Sequence, residues 1–466
     1  MRLPGCFTAL SAAGILLLSC VCSSVMAAAV PGDGRDAASP SMEESSVCYQ
    51  IVCMDDSLEQ MMIRCLPDYQ EGVRLGEELK SRVCVKSGKL GDIDIRWTII
   101  DASENAYMKY LDTLLMEQNQ RDPRDRIDLF AVTTGQLGKY CDEAAAVALP
   151  LWDTGLQDTD LSEQYDVMKI PACDSGGIQR AITPDLPVGV WAYRRSVAKE
   201  VLGSDDPETV ASAVDTWEHF EETAGKMKEK GYRVYSSYTD TWRAYADSRT
   251  VPWVNGEGVI CPDGNLVKWV DMTFADAENG RLAGTLRGSE EWLADYTGEQ
   301  SRTFGTFLTG DGLAALAAGD TASGGDWGCV CGPASYADSC TWYCAAAGSS
   351  NTLLTGEILQ KLFCQEESLE QIISSGRRGV NHRTAMAHAQ EKADAGWDFC
   401  GGQNVAEVYD RAAALCVTGN GTRYDSGLNA AFMEAFLPYF TGQTDEEGAA
   451  AAFYDNAMQR YPDLLM

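Results

Sequence analysis

The chain has 466 residues, of which 45% are hydrophobic, and a formal net charge of −32 from 37 basic and 69 acidic side chains. That length and apolar content exclude a globally disordered chain and leave room for two or three domains. The acidity repels a polyanion such as nucleic acid, so none is expected as a partner. Three histidines, at 219, 382 and 388, leave little material for zinc sites, histidine triads or proton shuttles.

Residues 7–18 follow Arg2 as an apolar run too short to cross a bilayer, which marks a targeting segment. Two endings compete. Leu17-Leu-Ser-Cys20 reads as a lipobox whose cysteine becomes the lipidated first residue, and Val25-Met-Ala-Ala-Ala29 reads as an ordinary small-residue cleavage site. Residues up to 47, rich in Ala, Gly, Pro and Ser, read as a flexible tether.

Residues 48–89 carry no assignment. Residues 92–100 alternate at period two and predict a strand, followed by a helix with Tyr107, Leu111, Leu114 and Leu115 on one face. Residues 127–132 predict a second buried strand, and 135–141 a short helix. This rhythm favours a parallel sheet covered by helices. Residues 188–193 predict another strand. Asp215-x-x-Glu218 and Thr444-x-x-Glu447 read as capping boxes, and Gly231 as a helix stop. Ile358, Leu359, Leu362 and Phe363 mark a packed helix, and Leu428, Phe432, Phe436 and Phe440 form a four-spaced apolar stripe.

Several chemical signals fail on inspection. Ser196-x-x-Lys199 lacks the partner motifs of penicillin-binding enzymes, and Gly310-x-Gly312 lacks the acid of a dinucleotide site. Of seventeen cysteines, Cys6 lies in the targeting segment and Cys20 is the lipidation candidate, leaving an odd fifteen. Many sit among apolar neighbours, as in Leu362-Phe-Cys364, and read as buried free thiols without an essential disulfide framework. Cys329-x-Cys331 and Cys340-x3-Cys344 lack zinc spacing and a nearby histidine, so no metal and no cofactor is expected.

Three segments carry a family resemblance. They are Pro187-Val-Gly-Val-Trp-Ala-Tyr-Arg-Arg-Ser-Val-Ala-Lys199, then Gly325-Asp-Trp-Gly-Cys-Val-Cys-Gly-Pro333 with Thr341-Trp-Tyr-Cys-Ala-Ala-Ala-Gly348, and Phe399-Cys-Gly-Gly-Gln-Asn404. From about Asp92 to the C-terminus the chain resembles the extracellular solute-binding proteins of bacterial ABC importers, in the family 1 type and its carbohydrate branch. The resemblance implies an α/β, two-lobed periplasmic-binding-protein-like fold, with hinge strands and a ligand cleft between the lobes. It implies lobe 1 at 48–185 plus 345–400, lobe 2 at 186–344 plus 401–466, and crossings near 184–190, 341–346 and 400–405. It also favours the lipobox reading, with a signal peptide at 1–20, a tether at 21–47 and a lipid on Cys20 facing the outside of the cytoplasmic membrane. The function implied is capture of a carbohydrate by a monomer and its delivery to separate permease chains, without catalysis. The alternatives are a secreted glycoside-acting enzyme, which needs two positioned carboxylates, and a surface lipoprotein without a transport role.

The candidate site follows from sugar chemistry, since a pyranose stacks its C–H face on an aromatic ring and offers hydroxyls to amides and carboxylates. Trp191, Trp253, Trp327 and Trp342 fall in or near segments that face the cleft in relatives, with Trp327 and Trp342 foremost. Asp326 and Tyr193 are candidates beside them. Gln403 and Asn404 either bind ligand or staple the hinge. Thr134 and Gln136 follow a strand, where open α/β sheets place ligands. Arg194 and Arg195 either pin the surface of lobe 2 near the hinge or form a solvated pair, the reading favoured here.

Overall fold

The computed structural model describes residues 48–78, 83–100, 106–297, 301–319, 324–392 and 396–466. The targeting segment, the tether and Cys20 lie outside the described residues. Among the described residues eleven strands run in chain order: β1 Cys48–Cys53, β2 Tyr69–Glu78, β3 Val83–Leu90, β4 Ile93–Ile100, β5 Leu129–Thr133, β6 Val190–Arg194, β7 Tyr235–Ser237, β8 Leu282–Thr285, β9 Gly305–Leu308, β10 Trp327–Val330 and β11 Thr341–Ala345.

Six of these strands form one sheet in the order β11-β5-β1-β4-β3-β2. Its centre is parallel, with β1 between β4 and β5, as the strand–helix–strand rhythm predicts. Its flanks are antiparallel: β11 pairs with β5, and β2 and β3 extend the far edge from β4. Strand β1 was missed in the sequence because its Cys48-Tyr-Gln-Ile-Val-Cys53 run is buried on both faces, Gln50 included, so period two is absent. The helix Ala106–Met116 buries Tyr107, Leu111 and Leu115 as expected, with Leu114 at the margin of the same core.

A second, antiparallel sheet has the order β10-β6-β9, and β7 pairs with β8 in a small parallel sheet. The fold is therefore α/β with two lobes. The chain leaves the six-stranded sheet after β5, enters the three-stranded sheet at β6, and returns between β10 and β11. Residues 341–345, expected at the second crossing itself, are already strand β11 of the first sheet.

Helices complete the second lobe. Trp242, Trp253, Trp269, Phe432 and Phe453 pack in one cluster, and the helix Asp425–Phe440 buries Leu428, Phe432, Phe436 and Phe440. Gly231 ends the helix Trp217–Glu229 with φ +82°, the left-handed turn expected of it. Both expected caps sit one residue later than read. Thr216 accepts from the His219 N–H at 3.1 Å, because Asp215 faces the His219 ring instead (2.6 Å), and Asp445 accepts from the Gly448 N–H at 2.8 Å.

Candidate ligand-binding cleft

A cleft of about 1300 Å³ separates the C-terminal end of β5 from the helices and loops of the second lobe. One wall is residues 133–135 and 137–139 with parts of the segment 167–173. The other comes from the helix Trp242–Ala246, residues 336–339, the loop 416–424 and the C-terminal turn at 460–464. Residues after a parallel strand's C-terminal end reach such a crevice because no ladder partner covers them there.

The first wall is organised by Thr134. Its hydroxyl oxygen accepts from the Cys340 N–H and from the Trp342 Nε1–H, each at 3.0 Å. This fixes the Trp342 ring at the cleft although only 1% of the residue is exposed. On the same wall, Lys139 is held by Asp112 at 2.6 Å.

The second wall is built from ion pairs and aromatic rings. Arg243 donates to Asp338 at 3.0 Å, to Asp247 at 2.8 Å and to the Ala337 carbonyl at 2.6 Å, and its guanidinium lies 5.2 Å from the Tyr336 ring. Burial disfavours this cation, but Asp247 and Asp338 outweigh it and hold the Arg243 pKa above its ordinary value. Burial raises the Asp247 pKa against the pull of Arg243. Deeper in the wall, Arg249 pairs with Asp425 and sits 5.4 Å from the Trp253 ring. Tyr336 reaches its place only because residue 189 is glycine: a Cβ there would meet the Tyr336 ring at 2.2 Å. Trp242, Tyr424 and Tyr461 add further aromatic surface.

The structure sorts the residues singled out from sequence into two groups. Thr134 and Trp342 line the cleft. The others take structural places:
Trp327 is fully buried, stacked on Phe399 with centroids 6.1 Å apart, and Trp191 is fully buried among Phe220 (4.9 Å) and Phe307 (5.2 Å). Trp253 is also buried and stands behind the cleft wall, with Asn429 accepting its Nε1–H at 2.9 Å and Arg249 over its ring. Tyr193 is core, its hydroxyl on the Asp205 carbonyl at 3.1 Å. Asp326 accepts from Arg194 Nε at 2.5 Å and from the Ser196 N–H at 2.7 Å. Gln136 closes a capping box on Thr133. Gln403 brackets Cys329, accepting its N–H at 3.0 Å and donating to its carbonyl at 2.7 Å, which ties the 397–403 turn to β10. Asn404 likewise donates to the Ala389 carbonyl at 3.0 Å.

Arg194 and Arg195 are a correction to the solvated-pair reading. Arg194 is 7% exposed. Arg195 donates to the carbonyls of Trp327 (2.8 Å), Cys400 (3.0 Å) and Asp205 (3.1 Å), so it clamps the 397–403 turn onto the second sheet. The fourteen described cysteines are all unbridged.

The sequence reading missed Trp242, Arg243, Asp247, Arg249, Tyr336, Asp338 and Asp425. Two signals pointed to them: an Arg243/Asp247 pair at helical spacing, and the polar, glycine-rich Gly419-Asn-Gly-Thr-Arg-Tyr-Asp425 between two apolar helices.

Comparison with known proteins places the fold. No protein-family model and no curated protein matches the sequence. Solved structures do match. An extracellular solute-binding protein of family 1 superposes with TM-score 0.70 at 16% identity, over 89% of this chain and 99% of that one. The galacto-N-biose-/lacto-N-biose I-binding protein of an ABC transporter from Bifidobacterium longum, in complex with lacto-N-biose, gives 0.62 at 14% identity, over 90% and 99%. A cyclo/maltodextrin-binding protein complexed with maltotetraose gives 0.61 at 13%, over 91% and 100%. The architecture is that of the extracellular solute-binding proteins.

Proposed function

We propose that the protein is the substrate-binding lipoprotein of an ABC importer, capturing a carbohydrate by closing its two lobes and passing it to separate permease chains. The observation that carries this reading is the composition of the interlobe cleft. Trp242, Tyr336, Trp342 and Tyr424 supply ring surface, while Arg243, Asp247, Asp338 and Asn429 supply donors and acceptors around it. That mixture suits a ligand with apolar C–H faces and a rim of hydroxyls. Sugar-bound neighbours of the same fold support it.

In this reading the lobes are residues 48–185 with 345–400, to which β11 is added, and 186–340 with 401–466. The hinge motion is a rotation of one sheet against the other. Cys20 carries the lipid, and residues 21–47 tether the lobes to the membrane. The ligand leaves chemically unchanged. Isothermal titration of the purified protein with a panel of neutral oligosaccharides tests the reading. Saturable binding, with the sugar recovered intact, supports it, and release of reducing ends by the pure protein would replace it with a glycoside-acting enzyme.

A further inference from the structure

Most of the charges that line the cleft are already matched by other protein groups. Among the described residues its cations are Lys139, Arg243, Arg249, Arg423 and Arg460. Lys139 is held by Asp112 (2.6 Å), Arg243 by Asp247 (2.8 Å) and Asp338 (3.0 Å), Arg249 by Asp425, and Arg460 by Glu434 (2.7 Å). Two exposed groups of opposite sign remain, Arg423, which donates to the Tyr424 hydroxyl at 2.7 Å, and Asp463. Arg243 is the cleft cation that two carboxylates share, and its side chain (36% exposed) and that of Asp338 (46% exposed) are both open to the cleft. Two carboxylates on one guanidinium leave no net positive charge there for an acidic ligand.

We propose that the cleft selects an uncharged glycan and rejects the same glycan bearing carboxylates, and that the Asp247–Arg243–Asp338 cluster sets this discrimination. The inference rests on the carbohydrate reading above. A hydroxyl-rich ligand exchanges hydrogen bonds with the edges of the pairs and leaves them intact. A uronate must either displace a protein carboxylate from its guanidinium or sit desolvated beside Asp338. The net charge of −32 opposes its approach as well. Unpaired charge against the wrong ligand is a general route to specificity.

The test compares matched glycans on the full chain by isothermal titration. The probes are maltotetraose and lacto-N-biose, each as the neutral sugar and as the product of oxidising its primary alcohols to carboxylates. The expected result is at least tenfold weaker binding of the oxidised form of whichever glycan binds. In Asp338→Asn, which takes the formal charge of the Asp247–Arg243–Asp338 cluster from −1 to 0, the ratio is expected to fall below about threefold. Equal or tighter binding of the oxidised form overturns the inference and leaves the carbohydrate reading standing. A ratio that Asp338→Asn does not change, with the variant folded by circular dichroism, overturns the role given to the Arg243 cluster. No heat with any of these probes, and none on a wider array of immobilised glycans, removes the carbohydrate reading and this inference with it.

Discussion

Replacing Thr134 with valine preserves its shape and removes one oxygen, and that oxygen joins the β5 loop to β11. It accepts two hydrogen bonds at 3.0 Å, from the Cys340 N–H and the Trp342 Nε1–H. A buried donor left without a partner costs about 1–3 kcal/mol. Both donors are only part-buried, so the expected loss from Thr134→Val is about 2–4 kcal/mol, measured as the unfolding free energy in urea. A double-mutant cycle isolates the indole share. Trp342→Phe removes one donor in the wild-type background and removes nothing from Thr134 once it is valine. The two changes should therefore be less than additive by about 1 kcal/mol. Because Trp342 lines the cleft, its fluorescence should also shift in Thr134→Val. Additivity within about 0.5 kcal/mol would show that the Thr134–Trp342 bond does not organise the wall.

Other expectations follow from the same contacts. Trp327→Ala should lower stability by about 3–5 kcal/mol, as large-to-small core changes do, while ligand affinity of the folded protein stays unchanged; a selective affinity loss in a stable variant would return Trp327 to the cleft. Arg195→Lys keeps the charge but loses the planar fork on three carbonyls, and should cost about 1–3 kcal/mol; an unaltered urea midpoint would contradict the clamp. Glu221 has one carboxylate oxygen buried without a partner, and burial together with nearby Asp276 pushes its pKa up to about 7 against the pull of Arg281. A raised acid pKa means that the folded state holds its proton more tightly than the unfolded chain. The Glu221 contribution is thus full below about pH 4.5 and is lost as pH rises through about 7. The melting temperature should fall less between pH 5 and pH 8 in Glu221→Gln than in the wild type, and parallel profiles would refute this.

Architecture was more legible than the site. Local periodicity exposes an element when one face is buried, as in residues 93–100 or the stripe from Leu428 to Phe440. It fails for β1, which is buried on both faces. The capping boxes slipped by one residue because Asp215 and Thr444 each stand beside a second residue able to cap. For the site, tryptophan near a motif proved an ambiguous signal. Trp191 and Trp327 lie on adjacent strands β6 and β10, yet both are buried, and Trp342 alone of the four tryptophans lines the cleft. Tryptophan satisfies a core and a sugar face with the same ring, so its sequence position does not say which. The Arg243 and Arg249 pairs were hidden for another reason: Asp338 and Asp425 lie 95 and 176 residues away from them.

The central claim is that a carbohydrate closes this two-lobed protein without being consumed. Small-angle X-ray scattering of the full chain, with and without a neutral oligosaccharide found to bind by titration, tests it most directly when the sugar is recovered and analysed afterwards. The account predicts a smaller radius of gyration with sugar present and the same sugar, unaltered, at the end. An unchanged radius at saturation, or recovery of shortened sugar, would contradict it.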